Sequence, residues 1–276
     1  MEKHFVYLSE DEFINEAVNL VEEAKKRGIV LRIIGAVAVY ISLKNKPEVL
    51  SIYKSLGRLG DKEPLFTDLD MAAYSEQRGK ITQMFKELGF EPDRAINTLF
   101  GHKRQVYYHP QGKYHVDVFF NKLEFSHDVF FGEKPGKGRL ELDYPTITLA
   151  DLVLEKLQIH QINLKDVIDL MALFIAHDIE ESDRSGSING KHIAKILADD
   201  WGFWYDATNN LNKVRAYANE CLKNRKLDEH THSTIVSKIE RLYKIIEEEP
   251  KTKNWLKRSK VGDKKPWYRE VEELTR

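Results

Sequence analysis

Near the start of the chain apolar residues recur at helical spacing behind a polar start signal. Ile14, Ala17, Val18, Val21 and Ala24 follow Ser9-Glu10-Asp11-Glu12, a capping-box pattern in which the Ser9 hydroxyl accepts from first-turn amides and Glu12 reaches back. Lys25, Lys26 and Arg27 suit the negative end of the helix dipole and Gly28 can stop it, so an amphipathic helix is predicted over residues 9–27. The β-branched run 29–34 reads as a strand ending at Gly35, and the small apolar residues 36–43 as a buried helix. Residues 44–62 show helical spacing at Val49, Ile52, Tyr53 and Leu56, broken by Pro47, Gly57 and Gly60, which predicts a short helix between loops. Alternation over 66–74 predicts a strand, and 76–88 a helix closed by Gly89.

Strand signals follow at 98–100, 104–108 and 114–120, with His109-Pro110-Gln111-Gly112 as the turn between the last two. A further hairpin is predicted from 125–131 and 139–142. The glycine-rich loop 132–138 between them lacks Walker spacing and its Lys-Ser/Thr ending, so it reads as a hairpin tip. From Thr148 onward the pattern is helical, over about 149–161, 163–177, 189–201, 206–224 and 230–248, with a polar loop at 180–187. The expected class is α+β: a sheet-containing domain over 1–147, a helical domain over 148–250 and a basic tail over 251–276.

The chain has 276 residues, 43 Lys+Arg against 44 Asp+Glu, and 42% hydrophobic residues. It can bury a core, and its charge balance excludes a wholly basic nucleic-acid coat protein while leaving room for a local basic groove. Cys221 is the only cysteine, so neither an internal disulfide nor a multi-thiolate zinc site can form. The first residues lack a signal-peptide apolar run, and no stretch nears the roughly 18 apolar residues of a membrane span. A soluble cytoplasmic protein without a membrane or disulfide partner is expected.

The densest chemistry is Thr67-Asp68-Leu69-Asp70. On a strand, Asp68 and Asp70 project from one face, and two adjacent carboxylates are costly unless a cation sits between them. Asp117, a single acid in the apolar run His115-Val116-Asp117-Val118-Phe119-Phe120, needs a partner as well, and a metal shared with the first pair would supply it; a hydrogen-bonded strand end is the simpler alternative.

The order of strand, Gly35, helix, Asp-x-Asp strand and single-Asp strand resembles the DNA polymerase β-like nucleotidyltransferase superfamily. Ile34-Gly35-Ala36-Val37-Ala38 matches its glycine turn, Thr67-Asp68-Leu69-Asp70 its paired acids and Val116-Asp117-Val118 its third acid, across residues 29–120. The resemblance implies a nucleotidyltransferase-like mixed sheet with flanking helices. It also implies a triphosphate held at Gly35, Ala36 and Thr67, and two Mg2+ ions, with Mn2+ as a substitute, on Asp68, Asp70 and Asp117. Asp117 would act as base beside the acceptor. Two departures stand out: Ala36 replaces the usual Ser or second Gly, and 32 residues separate Gly35 from Asp68, with the stretch around 44–62 as an insertion.

In the helical half, Leu149, Leu152, Val153, Leu157 and His160 mark one helix face with Lys156 in its middle, either snorkelling or aimed at an anion. Glu155-Lys156-Leu157 followed by Lys165-Asp166 and Asp169-Leu170 resembles the AbiEii-like, abortive-infection toxin branch of the same superfamily. That resemblance implies a nucleotide contact for Lys156 and a positioning role for Asp169, although the basic residue usual after the lysine is missing at His160, Gln161 and Asn163. Lys165 and Asp169 also have the spacing of a surface i,i+4 ion pair.

Other features point less far. His230 and His232 lack a matching ligand cluster, no Gly-x-Ser-x-Gly elbow occurs, and Cys221 and the group Trp201, Trp204 and Tyr205 read as packing. The tail interleaves Lys251, Lys253, Lys257, Arg258, Lys260, Lys264 and Lys265 with Trp255, Trp267 and Tyr268, which suits either RNA contact or a tail strapped down by its tryptophans. The function these features suggest is transfer of an NMP group from an NTP to an acceptor hydroxyl on a small molecule, tRNA or protein. A catalytically degenerate nucleotide- or partner-binding module on the same fold is the alternative.

Overall fold

In the computed structural model, which describes residues 8–58, 65–184 and 186–270, period-2 and period-3.6 patterning sort the chain into a mixed sheet and a run of helices. The elements are α1 (Glu10–Lys26), β1 (Leu31–Ile33), α2 (Gly35–Leu43), α3 (Pro47–Ser55), β2 (Leu69–Ala73), α4 (Arg78–Glu87), β3 (Glu91–Pro92), α5 (Arg94–Leu99), β4 (Arg104–Tyr108), β5 (His115–Phe120), β6 (Lys122–Glu124) and β7 (Asp128–Phe130). Then follow α6 (Leu149–Leu157), α7 (Leu164–Ala176), β8 (Ile179–Glu180), β9 (Ile188–Asn189), α8 (Gly190–Asp199), α9 (Trp201–Lys223), α10 (Glu229–Glu248) and α11 (Lys253–Ser259). The class is α+β.

Over the described residues the chain divides into two compact units, one drawn from 1–41, 59–123 and 130–148 and the other from 42–58, 124–129 and 149–276. The last switch falls one residue after the boundary expected at 147. Of the two earlier excursions, 42–58 overlaps the stretch expected as an insertion over 44–62, while 124–129 carries no compositional mark.

The first unit holds a five-stranded sheet in the order β1-β2-β5-β4-β3. Only β2 and β5 are parallel; the other neighbours run antiparallel. One sheet face carries Leu31, Ile33, Met71, Ala73, Val116, Val118 and Tyr107, all buried. Phe85 of α4 stacks on Tyr107 with centroids 4.2 Å apart, and Phe13 of α1 meets Tyr114 at 4.9 Å. Burying such side chains contributes roughly 1.5–3 kcal/mol each, and this layer fixes the strand register. The opposite face is therefore specified too, and it carries Asp70, Asp117 and Arg104.

Short polar side chains start the helices. Ser9 and Glu12 form the expected capping box on α1. Asn163, Asn189, Asp200, Asp228 and Thr252 each accept from a first-turn amide of α7, α8, α9, α10 and α11. In the second unit α7 packs on α3, α6, α9 and α10, and its buried stripe runs through Ile168, Leu170, Met171, Leu173 and Phe174.

Several expectations are corrected. Residues 98–100 end a helix and a turn instead of forming a strand: Asp93 caps α5 by accepting from the Ile96 amide at 2.9 Å. The strand expected over 66–74 begins only at Leu69, leaving Thr67 and Asp68 outside it. The hairpin around the glycine-rich loop shrinks to a single Gly132–Gly138 bridge. The helix expected from 206 begins at Trp201, where the Asp200 carboxylate accepts from the Phe203 amide at 3.0 Å. The described part of the basic tail is folded: Trp255 of α11 meets Trp204 at 5.2 Å, and Trp267 meets Tyr205 at 5.3 Å. Its aromatic rings are packing elements. No helix among the described residues is long and apolar enough to cross a membrane.

Candidate active site

Parallel pairing of β2 with β5 places Asp70 directly opposite Asp117. Opposed residues on neighbouring strands share a face, so the two carboxylates stand side by side on the polar side of the sheet. The chain enters this face through the β1–α2 junction. The Ile34 N–H donates to the Asp70 carbonyl at 3.0 Å, and the next residue, Gly35, adopts φ +69° at the start of α2. A Cβ at Gly35 would lie 3.1 Å from Asp70 Oδ2. Glycine thus serves two needs at this position: the left-handed backbone and the close approach of the carboxylate. Ala36 follows in the first turn of α2.

The carboxylate pair that the sequence puts within one strand is in the structure a pair across two strands. Asp68 precedes β2, is exposed, and its Oδ1 accepts from the Thr67 hydroxyl at 2.9 Å. Asp70 and Asp117 come together and Asp68 remains at the open end. Among the described residues no three His, Cys, Asp or Glu side chains are gathered as a metal-holding group.

Asp117 is only 3% exposed, and a protein cation already faces it. Arg104 Nη2 donates to Oδ2 at 2.7 Å and Nε to Oδ1 at 3.2 Å, a two-pronged grip. The geometry follows from register: Val106 lies opposite Asp117, and Arg104, two residues along β4, reaches it diagonally on the same face. The guanidinium also lies 5.2 Å from the Phe119 ring centroid. His115, two residues before Asp117 on β5, brings Nε2 to 3.6 Å from Oδ2. Sequence reasoning missed Arg104, because its partner is visible only once the β4–β5 register is known.

Within the second unit Lys156 and Asp169 are brought together. Lys156 Nζ lies 3.0 Å from Asp166 Oδ1, 3.1 Å from Asp169 Oδ2 and 3.4 Å from Glu155 Oε1. Burial lowers the ammonium pKa, but those three carboxylates outweigh it and the net direction is upward. Asp169 is fully buried and also accepts from Tyr53 Oη at 2.7 Å and Arg58 Nε at 2.8 Å. The anions that Lys156 meets are the protein's own, and the partners of Asp169 are Lys156, Arg58 and Tyr53. The stretch taken as an insertion supplies two of these partners, through α3 and the residues just after it.

The fold and the geometry thus define an α+β protein with a carboxylate pair beside a glycine turn. Comparison with protein-family models, curated proteins and solved structures finds no match for this chain.

Proposed function

We propose that this chain is a metal-dependent nucleotidyltransferase that moves an NMP group from an NTP to an acceptor hydroxyl, on a nucleotidyltransferase-like sheet. The observation that supports it is the Asp70–Asp117 pair in register on parallel strands with the Gly35 turn against Asp70. Carboxylate oxygens are the hard ligands Mg2+ or Mn2+ takes, and magnesium is commonly held by one or two carboxylates completed by substrate phosphates, so Asp70 and Asp117 fit such ions. Asp68 would add a ligand from the segment before β2. A bound divalent ion would supply charge neutralisation at the phosphates during in-line displacement.

The remaining work falls to the chain itself. First-turn amides of α2, beginning at Gly35 and Ala36, are donors for the triphosphate. The Thr67 hydroxyl orients Asp68. Asp117, oriented by Arg104, receives the proton of the acceptor hydroxyl. Lys156 and Asp169 contribute by holding the helical unit together. Lys253, Lys257, Lys260, Lys264 and Lys265 are exposed and make RNA the first acceptor class to test.

Incubation of the protein with Mg2+, each labelled NTP and a total cell lysate should carry label into RNA, protein or a small molecule. Asp70→Asn and Asp117→Asn should abolish transfer while circular dichroism stays unchanged. Full activity in both variants, or no Mg-NTP binding by calorimetry, overturns the proposal. The Arg104 grip on Asp117 and the presence of Ala36 favour a second reading, a degenerate binding module. It would bind the nucleotide and release no pyrophosphate.

A further inference from the structure

Asp206 on α9 lies at the base of a different site, wholly within the helical unit. Its side chain is 2% exposed and takes three N–H groups. His127 Nε2 is 2.8 Å from Oδ2, His160 Nδ1 is 2.9 Å from Oδ1, and Trp267 Nε1 donates to Oδ1 at 3.1 Å. Burial opposes the charge, but hydrogen bonds from the two histidines and the indole hold this carboxyl below the usual carboxylate range. An ionised carboxylate only accepts, so neutral His160 carries its proton on Nδ1 and keeps a lone pair on Nε2. The ring is also clamped: Tyr268 stacks on it at 3.6 Å and 13°, and Trp267 meets it edge-on at 5.4 Å.

His160 is 24% exposed at the side chain and lines a pocket of about 500 Å³ with Phe125, Gln161, Asp166, Tyr268 and Arg269. That volume is typical of small-ligand sites, for which about 300–1,000 Å³ is usual. Phe125 and Tyr268 supply aromatic surface, and Gln161 an amide that both donates and accepts. Of the three charged lining groups two are already paired, and the third, Glu270, is an exposed carboxylate that repels anions. Asp166 faces Lys156 at 3.0 Å, while Arg269 pairs with Asp128 and donates to the Phe125 carbonyl at 3.0 Å. Such a lining selects against a phosphate and for a neutral, flat, hydrogen-bonding molecule.

We propose that this pocket binds a neutral nitrogen heterocycle of the nucleobase type, whose N–H donates to His160 Nε2 while its ring rests against the Tyr268 and Phe125 wall. Asp206 is the positioning residue that fixes the His160 tautomer, and His127, stacked on Phe203 at 5.1 Å, holds Asp206 from the other side. The assignment is independent of the transferase proposal, because none of these residues belongs to the Asp70–Asp117 face.

The test titrates the wild-type protein with adenosine, guanosine, cytidine and uridine, which carry no phosphate, while imidazole nitrogens are followed by 15N NMR. The expected result is an Nδ1–H tautomer at His160 and a saturable shift of its Nε2 resonance with at least one nucleoside. His160→Phe keeps a ring on Tyr268 without the acceptor and should weaken binding about tenfold, read well below a melting temperature that itself falls because Asp206 loses one of its three donors. Tyr268→Ala, which spares Trp267, should weaken it by removing the wall. An Nε2–H tautomer, no shift with any of the four nucleosides, or undiminished binding by both variants overturns the proposal.

Discussion

Gly35 and Asp70 approach so closely that a single added methyl group at residue 35 would stand 3.1 Å from the Asp70 carboxylate. With φ at +69°, Gly35→Ala also forces an L side chain into the left-handed region. The expected cost is about 1–2 kcal/mol from the backbone alone. Denaturant titration reads this loss. If the transferase proposal is right, activity falls further than stability does, because Asp70 must shift; a variant as stable and as active as the wild type would remove the turn from the mechanism.

Arg104 and Asp117 form a pair in which the acid is the more buried partner. Arg104→Met removes the guanidinium from a carboxylate that stands beside Asp70, at a cost of about 2–4 kcal/mol. Added Mg2+ should raise the melting temperature of this variant more than that of the wild type if the two acids bind the ion. Equal shifts in both proteins would count against a metal at this face.

The buried group around Asp169 predicts an acid limit to stability. Burial raises its pKa, but Lys156 and Arg58, with hydrogen bonds from Arg58 and Tyr53, bring the net direction below the usual carboxylate range. A group lowered in the folded state contributes stability above its unfolded value of about 3.9, and the contribution is lost as pH falls through the folded value. Asp169→Asn should cost about 3–5 kcal/mol at neutral pH and flatten the acid limb of a stability–pH curve. An unaltered limb would assign acid unfolding to other carboxylates.

His177, the C-cap of α7, gives a second and separable pH dependence. Burial is the main cause that brings its pKa down to about 4, and Nε2 meets no hydrogen-bond partner among the described residues. The unfolded chain therefore binds a proton that the folded one refuses, so stability is full above about pH 6.5 and declines from there toward pH 4, by a few kcal/mol. His177→Gln should abolish that slope. Chemical denaturation at half-unit pH steps distinguishes this window from the more acidic one set by Asp169.

The helical half was largely legible because its signals are local. Caps and apolar stripes lie within one or two turns of each other, so α7, α8 and α10 fall close to where the pattern puts them. The central strands β4 and β5 were legible by alternation, and Asp117 stood out as a charge in an apolar run. What escaped depends on pairing. Thr98 favours a strand by propensity, yet the Asp93 cap and the Val106 contacts of Asn97 make its segment helical. Asp68 and Asp70 look equivalent at i,i+2, but β2 begins between them. Arg104 acquires meaning only from its diagonal position, and Arg58 from a partner 111 residues away.

That last separation matters for how the molecule is made. Tyr53 and Arg58 leave the ribosome long before Asp169 and Lys156, and the acid they serve is fully buried when folding is complete. The helical unit cannot close its ion network from its own contiguous sequence, so a fragment starting at residue 149 would carry Asp169 with its phenol and guanidinium missing. The C-terminal helices thus complete their ion network only by taking up a short piece of sequence made well before them.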